Sequence, residues 1–423
     1  MKVSICAVAF VLIFTAPAAA QQRPPDVPVS VLVSVEELVA EALRVHPEIQ
    51  AASRLVDARR ARVPQARALP DPEFSIGYMG DLAPFKVQRG DPSSYRQLGV
   101  MQEIPYPGKL ALRGQIAGKD VDAERWGVEV ARRRIAAEVR VAYFELWAVR
   151  KSAEVTTRSK DLLEKLARIT EERYKVGQGL QQDVLRGQTE VSRVIQRLAL
   201  FTQRERTLVA QLNSLLQRPH DTPIPSLAPV EKAALAYSLD ELLARAAADS
   251  PDIRRTQERI EQNQLAVRLA ERDYYPDFRI GWDYQNRPGM PEMYGLRFSV
   301  NIPVFYKSKQ REAVNEAASS LAGAQHQREA VRTVLSFQVK EQFLAARTSE
   351  ELIILYTHGL LPQTALTLES ALAAYQTGAV DFLTVLSSFL TNLDYEAAYY
   401  DELAAYQKAL ARLQALTGLE LVK

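Results

Sequence analysis

An internal repeat limits the architecture of this 423-residue chain more than any other feature. Four landmarks recur in the same order, and prolines and glycines are among the matched positions. The matched pairs are Ser34 with Ser238, Pro72 with Pro276, Ile104 with Ile302, and Tyr174 with Tyr375, at spacings of 204, 204, 198 and 201 positions. The repeat predicts two similar structural units, with one loop shorter in the second copy.

The repeat predicts the following division of the chain. A short positive start at Lys2, an apolar run and Ala18–Ala20 are typical of a cleaved signal peptide. The predicted segments are a signal peptide (1–20), an extended segment (21–33), a first copy (34–217), a Pro-rich connector (218–237), a second copy (238–417) and a tail (418–423).

Cysteine and charge exclude several classes of protein. The only cysteine is Cys6, inside the predicted signal peptide, so we expect a mature chain with no disulfide, no thiolate metal site and no lipid-modified cysteine. The net charge of +2 gives no support to nucleic-acid binding. The four histidines show no metal-ligand spacing, and we find no nucleophile or phosphate-binding motif. We therefore expect a protein that is not an enzyme and has no cofactor.

Each copy begins with two short helices and ends with two long ones. Ser34 and Ser238 each precede a glutamate by three residues, which is the capping-box pattern. No helix breaker occurs from 109 to 175, a length of about 100 Å as a helix. The predicted long helices are 109–175, with return helix 180–217, and 307–376, with return helix 380–417 and a kink at Pro362.

Between the short and long helices the pattern changes to strict alternation, which predicts strands. The predicted strands are 73–81, 95–104, 277–286 and 293–302. Their length of about 9–11 residues suits tilted membrane strands. Four aromatic residues could lie at the membrane interface, namely Tyr78, Trp282, Tyr284 and Tyr294. A soluble hairpin with one face on a core is the alternative that the strands alone allow.

The strand count predicts an oligomer. Four strands cannot close a membrane barrel, and an open edge is not tolerated in lipid. Two chains would supply eight strands and three would supply twelve. The predicted fold class is mainly α with membrane β: long antiparallel helical hairpins next to four strands that contribute to a barrel shared between chains.

The chain resembles the TolC-type outer-membrane efflux family over almost its whole length after residue 20. The resemblance rests on HPEIQAA (46–52) and SPDIRRT (250–256), on PEFSIGY (72–78) and PDFRIGWDY (276–284), and on YKVGQG (174–179) and YQTGAV (375–380). QEIPYPGKLALR (102–113) is similar to the strand-to-helix joint of the branch that serves pumps of the resistance-nodulation-division class, which export metals and drugs.

The resemblance implies a homotrimer in the outer membrane, with a twelve-stranded barrel and a periplasmic helical tunnel. It also implies a periplasmic adaptor and an inner-membrane pump of the resistance-nodulation-division class as partners. The implied function is that of a passive exit duct. Metal ions, drugs or the proteins of a type I secretion system are all compatible cargoes, and metal-ion export is one of the expectations.

Two groups of residues are candidate functional sites. Glycine allows the tight reversal between long helices, and the resemblance implies that the tips contact the adaptor. The tip residues are Val176, Gly177, Gly179, Thr377 and Gly378. The candidate aperture residues are Asp183, Asp381, Thr384 and Ser387. The two aspartates either interact with helix dipoles or form an acidic ring around a constriction.

Two other protein classes remain as alternatives to the duct. A periplasmic coiled-coil adaptor also has long helical hairpins, although the two equivalent hairpins and the aromatic strands argue against it. A soluble helical scaffold is the other. Membrane fractionation separates all three.

Overall fold

The structure is a computed structural model that describes residues 32–81, 86–232 and 234–422. The predicted signal peptide and most of the segment 21–33 lie outside these residues. The elements are α1 (Val35–Val45), α2 (Pro47–Arg67), β1 (Glu73–Met79), β2 (Tyr95–Ile104), α3 (Lys109–Lys175), α4 (Gln181–Leu215), α5 (Leu239–Asp249), α6 (Pro251–Arg272), β3 (Asp277–Asn286), β4 (Met293–Asn301), α7 (Gln310–Leu355), a π-helical turn (Tyr356–Leu360), α8 (Leu361–Gln376) and α9 (Phe382–Thr417).

The short helices begin at well-defined caps. The Ser34 hydroxyl accepts a hydrogen bond from the Glu37 backbone N–H, and the Glu37 carboxylate accepts one from the Ser34 N–H. Ser238 and Glu241 make the same reciprocal pair at α5. These caps satisfy backbone donors that the first turn leaves unpaired. Pro47 and Pro251 then occupy the first turns of α2 and α6. An N–H at this position has no acceptor within the helix, so proline, which lacks the N–H, is tolerated there.

The four strands form one antiparallel sheet in the order β1-β2-β3-β4. The central pairing places Ile104 opposite Phe278 and Gln102 opposite Ile280. The chain enters β1 and β3 from a helix and leaves β2 and β4 towards a helix, so every helix lies at the same end of the sheet. The predicted fold class, mainly helical with a four-stranded antiparallel sheet, is confirmed at this level.

The second long helix departs from the first in two places. Residues 304–309 form turns, and α7 begins only at Gln310. The turn Tyr356–Leu360 is π-helical, and the Leu361 N–H bonds the Tyr356 carbonyl five residues back. Pro362 follows directly and has no N–H to donate to the His358 carbonyl, which explains why the helix widens there. Sequence reasoning predicted a kink at Pro362, and the structure accommodates the proline by this π turn.

Two apolar cores hold the helices together. The larger contains Tyr143, Leu146, Leu212 and Leu410 from α3, α4 and α9, with α1, α5 and α7 packed around them. The smaller lies nearer the far end of the long helices and includes Leu163, Phe382, Val385 and Leu386. Burial in the larger core raises the pKa of Tyr406 to about 12. None of the described helices carries an apolar stretch of the length needed to cross a membrane.

Candidate functional site

One face of the sheet, called the outer face below, is apolar and exposed, which is unusual for a single chain. Leu296 is 83% exposed and Phe298 is 65% exposed. The other exposed apolar residues of this face include Phe74, Ile76, Leu98, Val100, Ile280 and Val300. A continuous apolar surface on a sheet is stable when it faces lipid or another apolar partner.

The opposite face of the sheet is polar. The Arg279 guanidinium lies 3.6 Å from the Glu103 carboxylate, and the Arg297 guanidinium lies 3.9 Å from the Asp283 carboxylate. Asp283 is among the buried charged residues of the described chain. Alternation of apolar and charged side chains on the two faces is the pattern of a strand with lipid on one side and water on the other.

Three of the four predicted interface aromatics lie together at the loop end of β3 and β4. Tyr284 pairs with Tyr294 across the strands, and their ring centres are 5.4 Å apart. The centre of the Trp282 ring lies 6.2 Å from that of Tyr294. The Tyr284 hydroxyl donates a hydrogen bond of 2.5 Å to Glu292. Tyr78 lies near the same end of the sheet, on β1.

A second group of aromatic residues lies at the helix end of the sheet, and sequence reasoning missed it. Tyr106 and Tyr275 stack with their ring centres 4.6 Å apart. The ring centres of Tyr274 and Tyr306 are 6.4 Å apart. Phe305 in the turn after β4 is exposed. Tyr275 lies two residues before β3, and Asp277 and Tyr284 are seven strand positions apart, which corresponds to about 23 Å. Two aromatic groups with this separation suit the two interfaces of a bilayer. The signal was the clustering of Tyr and Phe beside the prolines that precede β3 and follow β2 and β4.

A buried lysine with two partly exposed aspartates joins the sheet to the first long helix. Lys109, only 2% exposed, lies with its Nζ 2.9 Å from Asp277 Oδ1 and 3.2 Å from Asp273 Oδ1. Asp277 Oδ1 also accepts a hydrogen bond of 2.7 Å from the Tyr106 N–H. The start of α3 is therefore fixed to the start of β3, which lies about 170 residues further along the chain.

The first tip reverses the chain through Val176–Leu180. Gly177 has a φ of 74°, and its N–H bonds the Tyr174 carbonyl. The Gln178 N–H bonds the Arg173 carbonyl at 2.8 Å. A Cβ on Gly179 would lie 3.1 Å from the Tyr174 backbone nitrogen, which is tighter than most such contacts, so the local space favours glycine here. Val176 and Leu180 are exposed and give the tip an apolar surface.

The second tip is similar in form. Gly378 has a φ of 77°, and its N–H bonds the Tyr375 carbonyl. The Thr377 hydroxyl donates a hydrogen bond of 3.0 Å to the Ala374 carbonyl, which closes the end of α8. Nothing lies within 4 Å of the missing side chains of Gly177 and Gly378, so these glycines are explained by their backbone angles.

Arg173 connects the two tips, and sequence reasoning did not identify it. Its guanidinium lies 4.2 Å from the centre of the Tyr375 ring and donates a hydrogen bond of 2.9 Å to the Tyr375 carbonyl. Tyr375 is buried and in turn contacts Phe382 at the start of α9. No local sequence pattern indicates a contact between two residues that are 202 positions apart.

The two candidate aspartates lie close enough to interact. Asp381 caps α9, and its carboxylate accepts hydrogen bonds from the Thr384 N–H and hydroxyl, which lower the pKa of Asp381. Asp183 lies half-buried in the first turn of α4. Partial burial and, after it, repulsion by the Asp381 charge raise the pKa of Asp183. The structure of a single chain therefore already shows Asp381 as the cap of α9.

Thr384 and Ser387 continue an exposed stripe along α9. Asp381, Thr384 and Ser387 follow one another at three-residue steps and are all exposed, while Val385 and Leu386 turn into the core. The Ser387 hydroxyl bonds the Thr384 carbonyl at 3.0 Å. The structure therefore places all four candidate aperture residues at the same end of the helices as the tips.

The described part of the chain holds no group of three or more His, Cys, Asp or Glu side chains arranged to bind a metal ion. The ion pairs in the helices instead connect elements. Arg259 of α6 bonds Asp120 and Glu124 of α3, for example. These groups hold the helices side by side.

The chain matches the outer membrane efflux protein family over residues 38–217 and 242–419. No curated protein sequence matches it. It is similar in structure to the outer membrane protein VceC of Vibrio cholerae, at 17% identity and a TM-score of 0.75, over 90% of this chain and 96% of that one.

Two further solved structures are similar. The outer membrane channel CmeC of Campylobacter jejuni has 14% identity and a TM-score of 0.76, over 91% of this chain and 85% of its own. CusC, described in connection with transmembrane channel formation, has 16% identity and a TM-score of 0.77, over 96% of this chain and 98% of its own. Structural similarity at such low sequence identity establishes that the fold is shared.

Proposed function

This chain belongs to the outer membrane efflux protein family, and from that membership we propose that three copies form one passive exit duct of a tripartite efflux pump. The protein lies in the outer membrane, and its helices extend into the periplasm. The proposed barrel has twelve strands, four from each chain. The predicted two-copy organisation would give the trimer six similar units.

The observation that carries this proposal is the open, four-stranded sheet with an exposed apolar face. A sheet whose outer face is covered by residues such as Leu296 and Phe298 needs an apolar surrounding. Its two edge strands need partners, since unpaired backbone groups in hydrocarbon cost several kcal/mol each. Identical neighbours satisfy both needs at once.

The long helices support the tunnel. α3 alone has 67 residues and is about 100 Å long. The helices pack as hairpins around cores that run along their length, and their tips lie far from the sheet. A duct of this length would carry substrate from an inner-membrane transporter across the periplasm, and the transporter would supply the energy.

We propose the two tips as the surface that meets a periplasmic adaptor. Val176 and Leu180 expose apolar side chains beside Gly177, and Thr377 and Gly378 form the second turn. Exposed apolar groups on a rigid turn are typical of a protein–protein contact.

We propose that Asp183 and Asp381, with Thr384 and Ser387, surround the narrow end of the tunnel. Partial burial and, after it, repulsion by the Asp381 charge already raise the pKa of Asp183 within one chain. Three chains would place six carboxylates in one ring, and such a ring favours cations over anions. The capping bonds of Asp381 are compatible with this role because only one of its oxygens accepts them.

The partner pump is proposed to be of the resistance-nodulation-division class, on the resemblance of the joint at 102–113. In the structure this joint holds Gly108 with a φ of 93° and the buried Lys109. A duct for a type I secretion system is the second candidate, since the same tunnel would serve it. Family membership argues against the alternative of a periplasmic adaptor.

Site-specific photocrosslinking in cells tests the contact between duct and adaptor. A crosslinker at Val176 is expected to capture a periplasmic protein with an inner-membrane anchor. The matched control is the same crosslinker at His326, an exposed position on α7 far from the tips. Capture at both positions or only at His326 would contradict the tip assignment, whereas capture at Val176 alone supports it.

A further inference from the structure

Arg96 is the one charged residue on the outer face of the four described strands. Side chains alternate along β2, so Arg96 lies on the same face as Leu98 and Val100 and is exposed like them. Its direct partners across the sheet are Tyr78 on β1 and Asn286 on β3. All other strand positions of this face are apolar, aromatic or neutral amide residues. A lone cation on such a face needs a physical explanation.

The position of Arg96 along β2 supplies part of that explanation. An arginine on a lipid-facing strand is most costly at the middle of the bilayer and costs little near its surface. Arg96 lies at the loop end of β2, six strand positions or about 20 Å beyond Gln102 on the same face. Tyr284 lies one outer-face position nearer the middle, opposite Leu98. Arg96 therefore lies just beyond the aromatic residues of the loop end, at the level of lipid headgroups.

Two more cations lie in the loop that leads to Arg96. Lys86 and Arg89 are both exposed, and neither forms an ion pair within the part of the chain that the structure describes. The loop that carries them is joined to the β3–β4 loop, since the Gly90 N–H bonds the Pro288 carbonyl at 2.9 Å. This bond holds the cationic loop against its neighbour at the end of the sheet.

The carboxylates of these loops are occupied by neutral donors of the same chain. Asp81 accepts a hydrogen bond of 2.7 Å from the Gln88 side chain, and Asp91 accepts one of 2.9 Å from the Ser93 N–H. Glu292 accepts one of 2.5 Å from the Tyr284 hydroxyl. Lysine and arginine side chains carry donors only. The exposed cations at this end are thus suited to an anionic partner from outside the chain.

We infer that Arg96, with Lys86 and Arg89 beyond it in the loop, binds the phosphate groups of a phosphorylated glycolipid in the outer leaflet of the membrane. This inference rests on the proposed barrel, which places the outer face of the sheet in lipid. The guanidinium presents its N–H groups in a planar fork that matches two phosphate oxygens. The trimer would carry three such sites.

The opposite end of the outer face has a different composition, which assigns the site to the outer leaflet. There Ile104 lies opposite Phe278, and no strand carries a cation on this face. The long helices start from this end, so it is the periplasmic end of the proposed barrel. The cation therefore marks the leaflet on the side of the loops.

Native mass spectrometry of the full protein in detergent tests the site. The probes are lipid A with both phosphates and the same lipid with its phosphates removed. The natural chain is expected to bind the phosphorylated lipid more tightly. Arg96→Gln is expected to weaken that binding at least about tenfold, because it removes a charge-assisted hydrogen bond. Arg96→Lys keeps the positive charge and is expected to lose less.

The matched control is Arg279→Gln, which removes an arginine from the opposite face of the neighbouring strand. It is expected to leave the binding of lipid A unchanged. Equal weakening in Arg96→Gln and Arg279→Gln would overturn the inference. Equal binding of the two lipids by the natural chain would also overturn it. Inorganic phosphate that displaces the lipid at equal concentration would show a site for free phosphate instead.

The failure of this inference is distinguishable from the failure of the proposed function. Each variant is also sized in detergent before lipid is added. A trimer that shows no preference for the phosphorylated lipid refutes the lipid site and leaves the duct intact. A single chain that stays in solution without detergent refutes both.

Discussion

The Arg173 guanidinium lies 4.2 Å from the centre of the Tyr375 ring and donates a hydrogen bond of 2.9 Å to the carbonyl of the same residue. One side chain thus binds both the ring and the backbone of the other tip. The end of α3 is thereby held against the end of α8. These contacts add to the apolar packing of Tyr375 and Phe382 in fixing the relative position of the two tips.

The first prediction concerns this contact. Arg173→Ala removes the cation–π contact and the hydrogen bond, which together contribute about 1–3 kcal/mol. Amide hydrogen exchange in both tips is expected to accelerate, while exchange in the larger core stays unchanged. The control is Arg168→Ala, which removes an exposed arginine of the same helix. Equal acceleration in both variants, or in neither, would show that Arg173 does not hold the tips.

The second prediction concerns pH. The pKa of Asp183 is raised above its ordinary value of 3.8, so its ionisation costs stability at neutral pH. This cost disappears as the pH falls through the raised pKa. The pKa of Asp381 is lowered, so Asp381 keeps its charge further into acid, and its stabilising cap is lost only as the pH falls through that lowered value. Block of the channel by divalent cations in planar bilayers is therefore expected to weaken in two steps, with Asp183 protonating first.

The third prediction separates charge from capping at Asp381. Asn also caps helices well, so Asp381→Asn removes the charge and keeps the cap, whereas Asp381→Ala loses both and about 1 kcal/mol of stability. Both variants are expected to weaken block by divalent cations equally, and only the alanine variant is expected to lower the melting temperature. Unchanged block in Asp381→Asn and Asp183→Asn would remove both residues from the aperture.

The fourth prediction concerns the joint at Lys109. Lys109→Met removes the cation beside the Asp277 carboxylate, which is 24% exposed, so the cost is expected to stay below the about 3–5 kcal/mol of a fully buried pair. The trimer is expected to dissociate at a clearly lower temperature on a heated gel. The double variant Lys109→Met with Asp277→Asn should recover part of this loss, because the Asp277 charge is removed too and only the more exposed Asp273 carboxylate loses its cation. A single variant as heat-stable as the natural chain would show that the joint contributes little.

The sheet and the long helices could be predicted because their signals are local. Alternation over ten residues, as in Asp277–Asn286, describes a strand whatever surrounds it. Gly177 and Gly378 marked the tips because only glycine adopts their positive φ freely. In the same way Pro362 predicted a distortion, although the sequence could not show that the helix would respond with a π turn.

Contacts between distant segments could not be predicted. The sequence predicted Lys109 only as the first residue of a long helix. The fold is what brings the Asp277 carboxylate next to it. Arg173 was one of several charged residues at the end of α3, and Tyr375 belongs to the other half of the chain. The Asp381 cap was foreseeable as a type of interaction, but its proximity to Asp183 depends on how α4 lies against α9.

The mass of the detergent-extracted protein in its native state tests the shared barrel most directly. We expect three chains in one particle. The particle should leave the outer membrane only with detergent and should separate into single chains on heating. A single chain that stays in solution without detergent would contradict the duct, because the sheet would then be complete within one subunit.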